Sequence, residues 1–145
     1  MLKPLKQWYC DVCGDIIQKP GDGYVLWKRD EKFSDYDFKI VHKKTCEDIT
    51  KHPSMSLEIF LGEDGVQYLL TFLSIGKIKK NIGQSSKWSV KDMDEFVDFF
   101  RRVQTPYYEE ARTKFGVAQL LNDLFTENET GPYLEGQLKN IAEKY

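Results

Sequence analysis

The chain contains three cysteines and two histidines, and all three cysteines with one histidine fall in two short stretches. The first is Trp8-Tyr9-Cys10-Asp11-Val12-Cys13-Gly14-Asp15, the second His42-Lys43-Lys44-Thr45-Cys46. The spacing is Cys-x2-Cys, then 28 residues, then His-x3-Cys. Zinc binds four thiolate or imidazole ligands tetrahedrally, and paired spacing at both ends lets two turns each offer two ligands to one ion. Cys10, Cys13, His42 and Cys46 make a closed Cys3His set. A catalytic zinc keeps one position for water, so the expected ion is structural Zn2+.

Other uses of these residues are weighed against that reading. Cys10 and Cys13 have the spacing of a redox pair, but the βαβ surroundings of a thioredoxin-like motif are missing. His52 is a second candidate for the fourth ligand, although six residues along a helix would turn it away from Cys46. Single buried cysteines and histidines are often plain core residues. Enzymatic zinc chemistry finds little support. A nucleobase deaminase needs His-x-Glu before its cysteine pair, and a metalloprotease needs two histidines around Glu on one helix. No Gly-rich phosphate loop or Gly-x-Ser-x-Gly elbow is present. No catalytic residue is assigned, and a metal-dependent hydrolase or nuclease is the weakest alternative.

The elements that must position these ligands are legible in part. Residues 8–14 read as a tight turn, with Gly14 permitting the unusual backbone angle after the second cysteine. Lys19-Pro20-Gly21-Asp22-Gly23 is a turn signal. Residues 24–29 and 38–41 are rich in β-formers and are expected to pair as a hairpin across a polar loop over residues 30–37. Thr45-Cys46-Glu47-Asp48 carries the signature of a helix start, and His52-Pro53 ends that helix after about two turns.

Knuckle, hairpin and short helix in this order resemble the treble-clef class of zinc fingers, over roughly residues 8–53. The resemblance implies that the knuckle supplies the first ligand pair and the start of the helix the second.

Beyond Pro53 the pattern becomes helical. Asp64-Gly65-Val66-Gln67 offers a capping box, with Val66, Leu69, Leu70 and Leu73 on one face. Ser89-Val90-Lys91-Asp92 is expected to cap a helix with a buried stripe of Met93, Phe96, Val97, Phe100 and Val103. Thr105-Pro106 starts a longer helix, with Glu109 and Glu110 placed to suit its dipole and an apolar face running through Ala118, Leu121 and Phe125. Thr130-Gly131-Pro132 opens the last, bearing Leu134, Leu138, Ile141 and Tyr145. The expected fold is α+β: a zinc-stapled module over residues 1–53, then an all-α bundle of about four helices over residues 56–145.

Composition bounds the function. At 41% hydrophobic and 30% charged residues the chain is that of an ordinary globular protein. Residues 1–6 lack a signal-peptide core and no apolar run is long enough to span a bilayer, so an intracellular, cytoplasmic protein is expected. An odd cysteine count favours metal chemistry over a disulfide framework. A net charge of −2 gives no global attraction to nucleic acid. A local basic surface remains as an alternative: Lys43 and Lys44 in the finger, and Lys77, Lys79, Lys80, Lys87 and Trp88 in a linker without acids. Aromatics beyond the evident need of the core, among them Trp27, Phe33, Tyr36, Tyr107 and Tyr108, favour a non-enzymatic module with a protein partner, in an interaction or regulatory role.

Overall fold

The computed structural model describes residues 1–48, 52–78, 89–117 and 129–145. Trp8–Tyr9 (β1) and Ile16–Ile17 (β2) form a short antiparallel ribbon, with Trp8 opposite Ile17 and Tyr9 opposite Ile16. The Cys-x2-Cys turn closes it. Gly14 has φ +80°, the left-handed conformation that glycine adopts without strain. Its N–H bonds the Cys10 carbonyl at 2.9 Å, and the Cys10 N–H bonds the Asp15 carbonyl at 2.9 Å.

The expected hairpin is present and longer than its β-rich runs. Gly23–Arg29 (β3) pairs antiparallel with Ser34–His42 (β4), from Gly23 opposite His42 to Arg29 opposite Asp35. The loop is confined to residues 30–33, because the Asp30 carboxylate accepts from the N–H groups of Lys32 and Ser34 and folds the turn locally. A bulge breaks the register at Trp27, opposite Asp37 and Phe38, and Asp37 takes φ 58° there. Phe38 stacks on Trp27 at 6.2 Å and on Phe99 at 5.0 Å.

Ser54–Ser56 (β5) adds to the far side of β3, and Ser89–Val90 (β6) pairs parallel to the start of β4, giving the order β5-β3-β4-β6. Gly62–Thr71 (α1) and Met93–Gln104 (α2) pack on this sheet with the 3-10 turn Leu57–Phe60. The chain is therefore α+β, but α1 and α2 bury their apolar faces against strands rather than in an all-α bundle. One cluster runs from Trp8 and Ile17 through Val25, Trp27, Phe38, Ile40, Leu57, Phe60, Leu69 and Phe96 to Val103. β5, just after Pro53, pairs with β3, and the core cluster draws on residues either side of it. Each fully buried large side chain here contributes roughly 1.5–3 kcal/mol by leaving water.

Helix starts differ from expectation where tertiary contacts compete with local caps. Thr45 and Cys46 lie in a turn, with Lys44 at φ 71°, and Glu47 and Asp48 have no regular structure. Thr45 and Cys46 turn their N–H groups back to the carbonyls of Lys43 and His42, so the chain closes on the end of the hairpin and Thr45 caps no helix at Glu47 and Asp48. α1 begins at Gly62, ahead of the Asp64 box. Ser89 is drawn into the sheet, its Oγ 3.0 Å from that of Ser34, and Asp92 caps α2 instead, accepting from Glu95 N–H at 3.2 Å. The buried face of α2 is Phe96, Phe99 and Val103; Met93 is exposed, as is Leu70 on α1.

The expected longer helix is, among the described residues, a short one, Tyr108–Arg112 (α3), followed by turns over residues 113–116. Ala118, Leu121 and Phe125 lie outside the described residues. The last helix, Glu135–Lys144 (α4), follows a 3-10 turn at Gly131–Tyr133 that absorbs the proline. Leu134 is exposed, while Leu138 and Ile141 pack with Tyr108 and Ala111 in a second, smaller cluster.

Candidate metal centre

One ligand atom from each of Cys10, Cys13, His42 and Cys46 lies within 4.8 Å of the others. The first two come from the β1–β2 turn, the third from the last residue of β4, and the fourth from the turn that follows. Gly23 fixes where β4 ends beside the ribbon: it pairs with His42, and a Cβ there would sit 2.5 Å from Leu57. The Cys46 N–H returns to the His42 carbonyl at 3.2 Å, which folds the second pair back on itself.

His42 Nδ1 is 3.3 Å from Cys13 Sγ and 3.8 Å from Cys46 Sγ. Ligand atoms around tetrahedral zinc stand roughly 3.3–3.8 Å apart, given bonds of about 2.1 Å to nitrogen and 2.3 Å to sulfur. His42 Nε2 lies 3.1 Å from the Ile16 carbonyl, an acceptor that requires the proton on Nε2. In the neutral ring the Nδ1 lone pair then faces the sulfurs, the tautomer and outer partner of a metal-ligating histidine. The residues present fit a metal ion such as zinc. His52 is not in the group, and all three cysteines are free thiols.

Burial pushes the Cys10 thiol up, but the backbone N–H groups of Cys13, Val12 and His42 outweigh it and bring it down to about 6. It is a thiolate at neutral pH, the form a metal binds. The Asp15 N–H draws the Cys13 thiol down, yet slight desolvation and the neighbouring Cys10 and Cys46 sulfurs hold it above its ordinary value. A cation between them reverses that repulsion.

Asp11, inside the Cys-x2-Cys turn, has a part the sequence did not announce. Its N–H bonds the Ile40 carbonyl at 2.8 Å and its carboxylate accepts the Ile40 N–H at 2.8 Å, clamping the turn to β4 two residues before His42. The same oxygen accepts from Arg102 Nη1 at 2.7 Å. Arg102 is 3% exposed and also grips Glu109, through Nε at 2.7 Å and Nη2 at 2.9 Å. Glu109 and Glu110 are buried ion-pair and hydrogen-bond partners rather than dipole-facing surface acids. The one sequence hint was an arginine three positions after Phe99, on the apolar face of α2.

The basic residues are not brought together among the described residues. Lys43 is half-buried, its Nζ over the Tyr24 ring at 5.6 Å and 3.4 Å from the Gly21 carbonyl. Lys44 and Lys77 are exposed, while Lys79, Lys80, Lys87 and Trp88 lie outside the described residues. Of the surplus aromatics, Trp27 and Tyr108 are core, Tyr36 and Tyr107 half-buried, and Phe33 exposed. Among the described residues no helix is long and apolar enough to cross a membrane.

Comparison of the chain with protein-family models, with curated proteins and with solved structures gives no match.

Proposed function

We propose that this is a non-enzymatic zinc-binding protein in which a structural ion at Cys10, Cys13, His42 and Cys46 orders a module for protein interaction or regulation. The observation that carries the reading is the closed donor set, with Nε2 of His42 held by Ile16 so that Nδ1 faces the sulfurs. Four protein ligands leave no coordination position for a substrate or an attacking water, which argues against a hydrolase or nuclease.

The module retains the treble-clef order of knuckle and hairpin, but its second ligand pair lies on a strand end and a turn. The treble-clef helix expected to start at Thr45 is not formed at residues 45–48, and residues 49–51 lie outside the described residues. Two apolar side chains beside the ligands favour a binding role: Val12, 59% exposed, between the knuckle cysteines, and Ile16, 38% exposed. A protein partner is the reading they support, and among the described residues no comparable grouping supports nucleic acid.

Purified protein is expected to carry one zinc per chain, and Cys10→Ser and His42→Ala are expected to lose it together with folded stability. Full metal content and unchanged Tm in both variants would overturn the structural site. For the interaction role, a partner captured from the native cell and then purified should bind the wild type and lose affinity for Val12→Asp, with zinc retained. Binding of mixed nucleic acid that weakens steeply with salt would instead favour the basic-surface alternative.

A further inference from the structure

Three of the four residues from Trp8 to Asp11, at the entry to the metal turn, are bonded to α2 or α3. The Trp8 indole N–H donates to the Arg102 carbonyl at 2.9 Å. The Tyr9 N–H donates to Glu109 Oε2 at 3.0 Å, the Tyr9 carbonyl accepts from Arg102 Nη2 at 3.2 Å, and the Tyr9 hydroxyl donates to Glu110 Oε2 at 2.5 Å. Asp11 accepts from Arg102. Every residue from Trp8 to Asp11 except the ligand Cys10 is therefore bonded to one of these two helices.

The dependence runs the other way as well. α3 has five residues, too few to hold a helix by its own ladder, so its place is set by what it touches. One side of it packs Tyr108 and Ala111 against Leu138 and Ile141 of α4. The other presents Glu109 and Glu110, both under 10% exposed, to Arg102 and Tyr9. A carboxylate at this depth that loses its partner is strongly destabilising, so α3 stays docked while Tyr9 and Arg102 keep their positions. Arg102 is placed by α2, whereas Tyr9 adjoins and Asp11 lies within the turn at Cys10 to Cys13.

From this juxtaposition we infer that metal loading at Cys10, Cys13, His42 and Cys46 is coupled to the docking of α3 through Arg102, Glu109 and Glu110, so that the state of the metal site is transmitted to the α3–α4 cluster. This rests on the zinc reading above. The bound ion fixes the knuckle; the knuckle fixes Tyr9 and Asp11; these complete the buried polar network that seats α3. Coupling of this kind is reciprocal, so disturbing α3 must weaken metal binding by the same factor that metal removal loosens α3.

The test uses the full chain, loaded with zinc or stripped by a chelator, in hydrogen–deuterium exchange. Amides of residues 108–112 are expected to exchange at least about fivefold faster without zinc, together with those of residues 9–16. Acceleration at 9–16 and 42–46 with no change at 108–112 overturns the coupling and leaves the metal site standing. A chain that binds no zinc overturns both. In the reverse direction, zinc affinity is measured by competition with a chromogenic chelator. Glu109→Gln, which removes the charge facing Arg102, is expected to weaken zinc about fivefold or more. Tyr9→Phe, a milder change that keeps the ring, is expected to weaken it about threefold. Wild-type affinity in a folded Glu109→Gln and in Tyr9→Phe overturns the coupling.

Discussion

Arg102 Nη1 donates to the Asp11 carboxylate at 2.7 Å across 91 positions of the chain. Asp11 stands between two candidate ligand cysteines and Arg102 on the buried face of α2, so one ion pair joins the candidate metal centre to the helical half. The guanidinium fork also holds both Glu109 oxygens, the bidentate geometry that lets arginine be buried where lysine is not.

Arg102→Met leaves Glu109 buried without its cation and Asp11 without its bond to α2. Removing one partner of a buried ion pair typically costs about 3–5 kcal/mol. Urea denaturation is expected to show a loss of that size, with the midpoint falling and the slope kept. A loss below about 1 kcal/mol would mean that water replaces the guanidinium at little cost.

Two helical glycines are expected to respond oppositely to alanine. At Gly136 of α4 an added methyl meets nothing within 4 Å, so Gly136→Ala should stabilise by about 0.5–1 kcal/mol through helix propensity. At Gly65 of α1 the same methyl falls 2.3 Å from the Phe60 backbone and 2.9 Å from Gln104 Nε2. Gln104 there bonds the carbonyls of Phe60 and Gly62, so the contact cannot open freely. Gly65→Ala should lower Tm, and a rise would show that α1 can shift off its turn.

Acid sensitivity is expected at Asp98. Burial works against its carboxylate, but Arg112 at 2.7 Å and the Tyr108 hydroxyl at 2.5 Å outweigh it and hold the carboxyl below its ordinary value. A carboxyl lowered in the folded state contributes stability that is fully present above the unfolded value near 4 and is lost as pH falls through the folded one. With a third of the side chain exposed, the contribution is about 1 kcal/mol. Asp98→Asn should therefore cost about that much at pH 7 and progressively less as acidification protonates the folded-state carboxyl, as read from denaturation across pH.

Chelation is expected to lower Tm by roughly 10 °C, the shift that follows from removing a ligand held near a thousand times its dissociation constant. Zinc affinity should also fall with acidification. Cys10 is a thiolate above about 6, so below that pH a further proton competes with the metal and the affinity falls more steeply. A pH-independent zinc affinity between pH 5 and 8 would exclude thiolate ligation.

The sequence by itself determined the Cys3His grouping and the frame around it. Cysteine and histidine have few other reasons to recur at Cys-x2-Cys and His-x3-Cys, and the β-rich runs after a Pro-Gly turn specified the hairpin whose last residue is His42. Local signals also placed α1, α2 and α4 to within a few residues, because periodicity and capping are nearest-neighbour properties. Other features were decided by tertiary structure. Ser89 matched a helix cap but joined a strand, since β4 offered it a ladder. Glu109 and Glu110 matched a helix N-terminus but are buried partners of Arg102 and Tyr9. Asp11, which the sequence marks only as a residue between two cysteines, is the clamp between knuckle, sheet and helix. Its partners Ile40 and Arg102 lie 29 and 91 positions away, and a hydrogen bond over such a separation leaves no periodic or compositional trace. The donor set that a metal needs is a matter of residue type and spacing, whereas the network that ties that set to the helices exists only once the chain has folded.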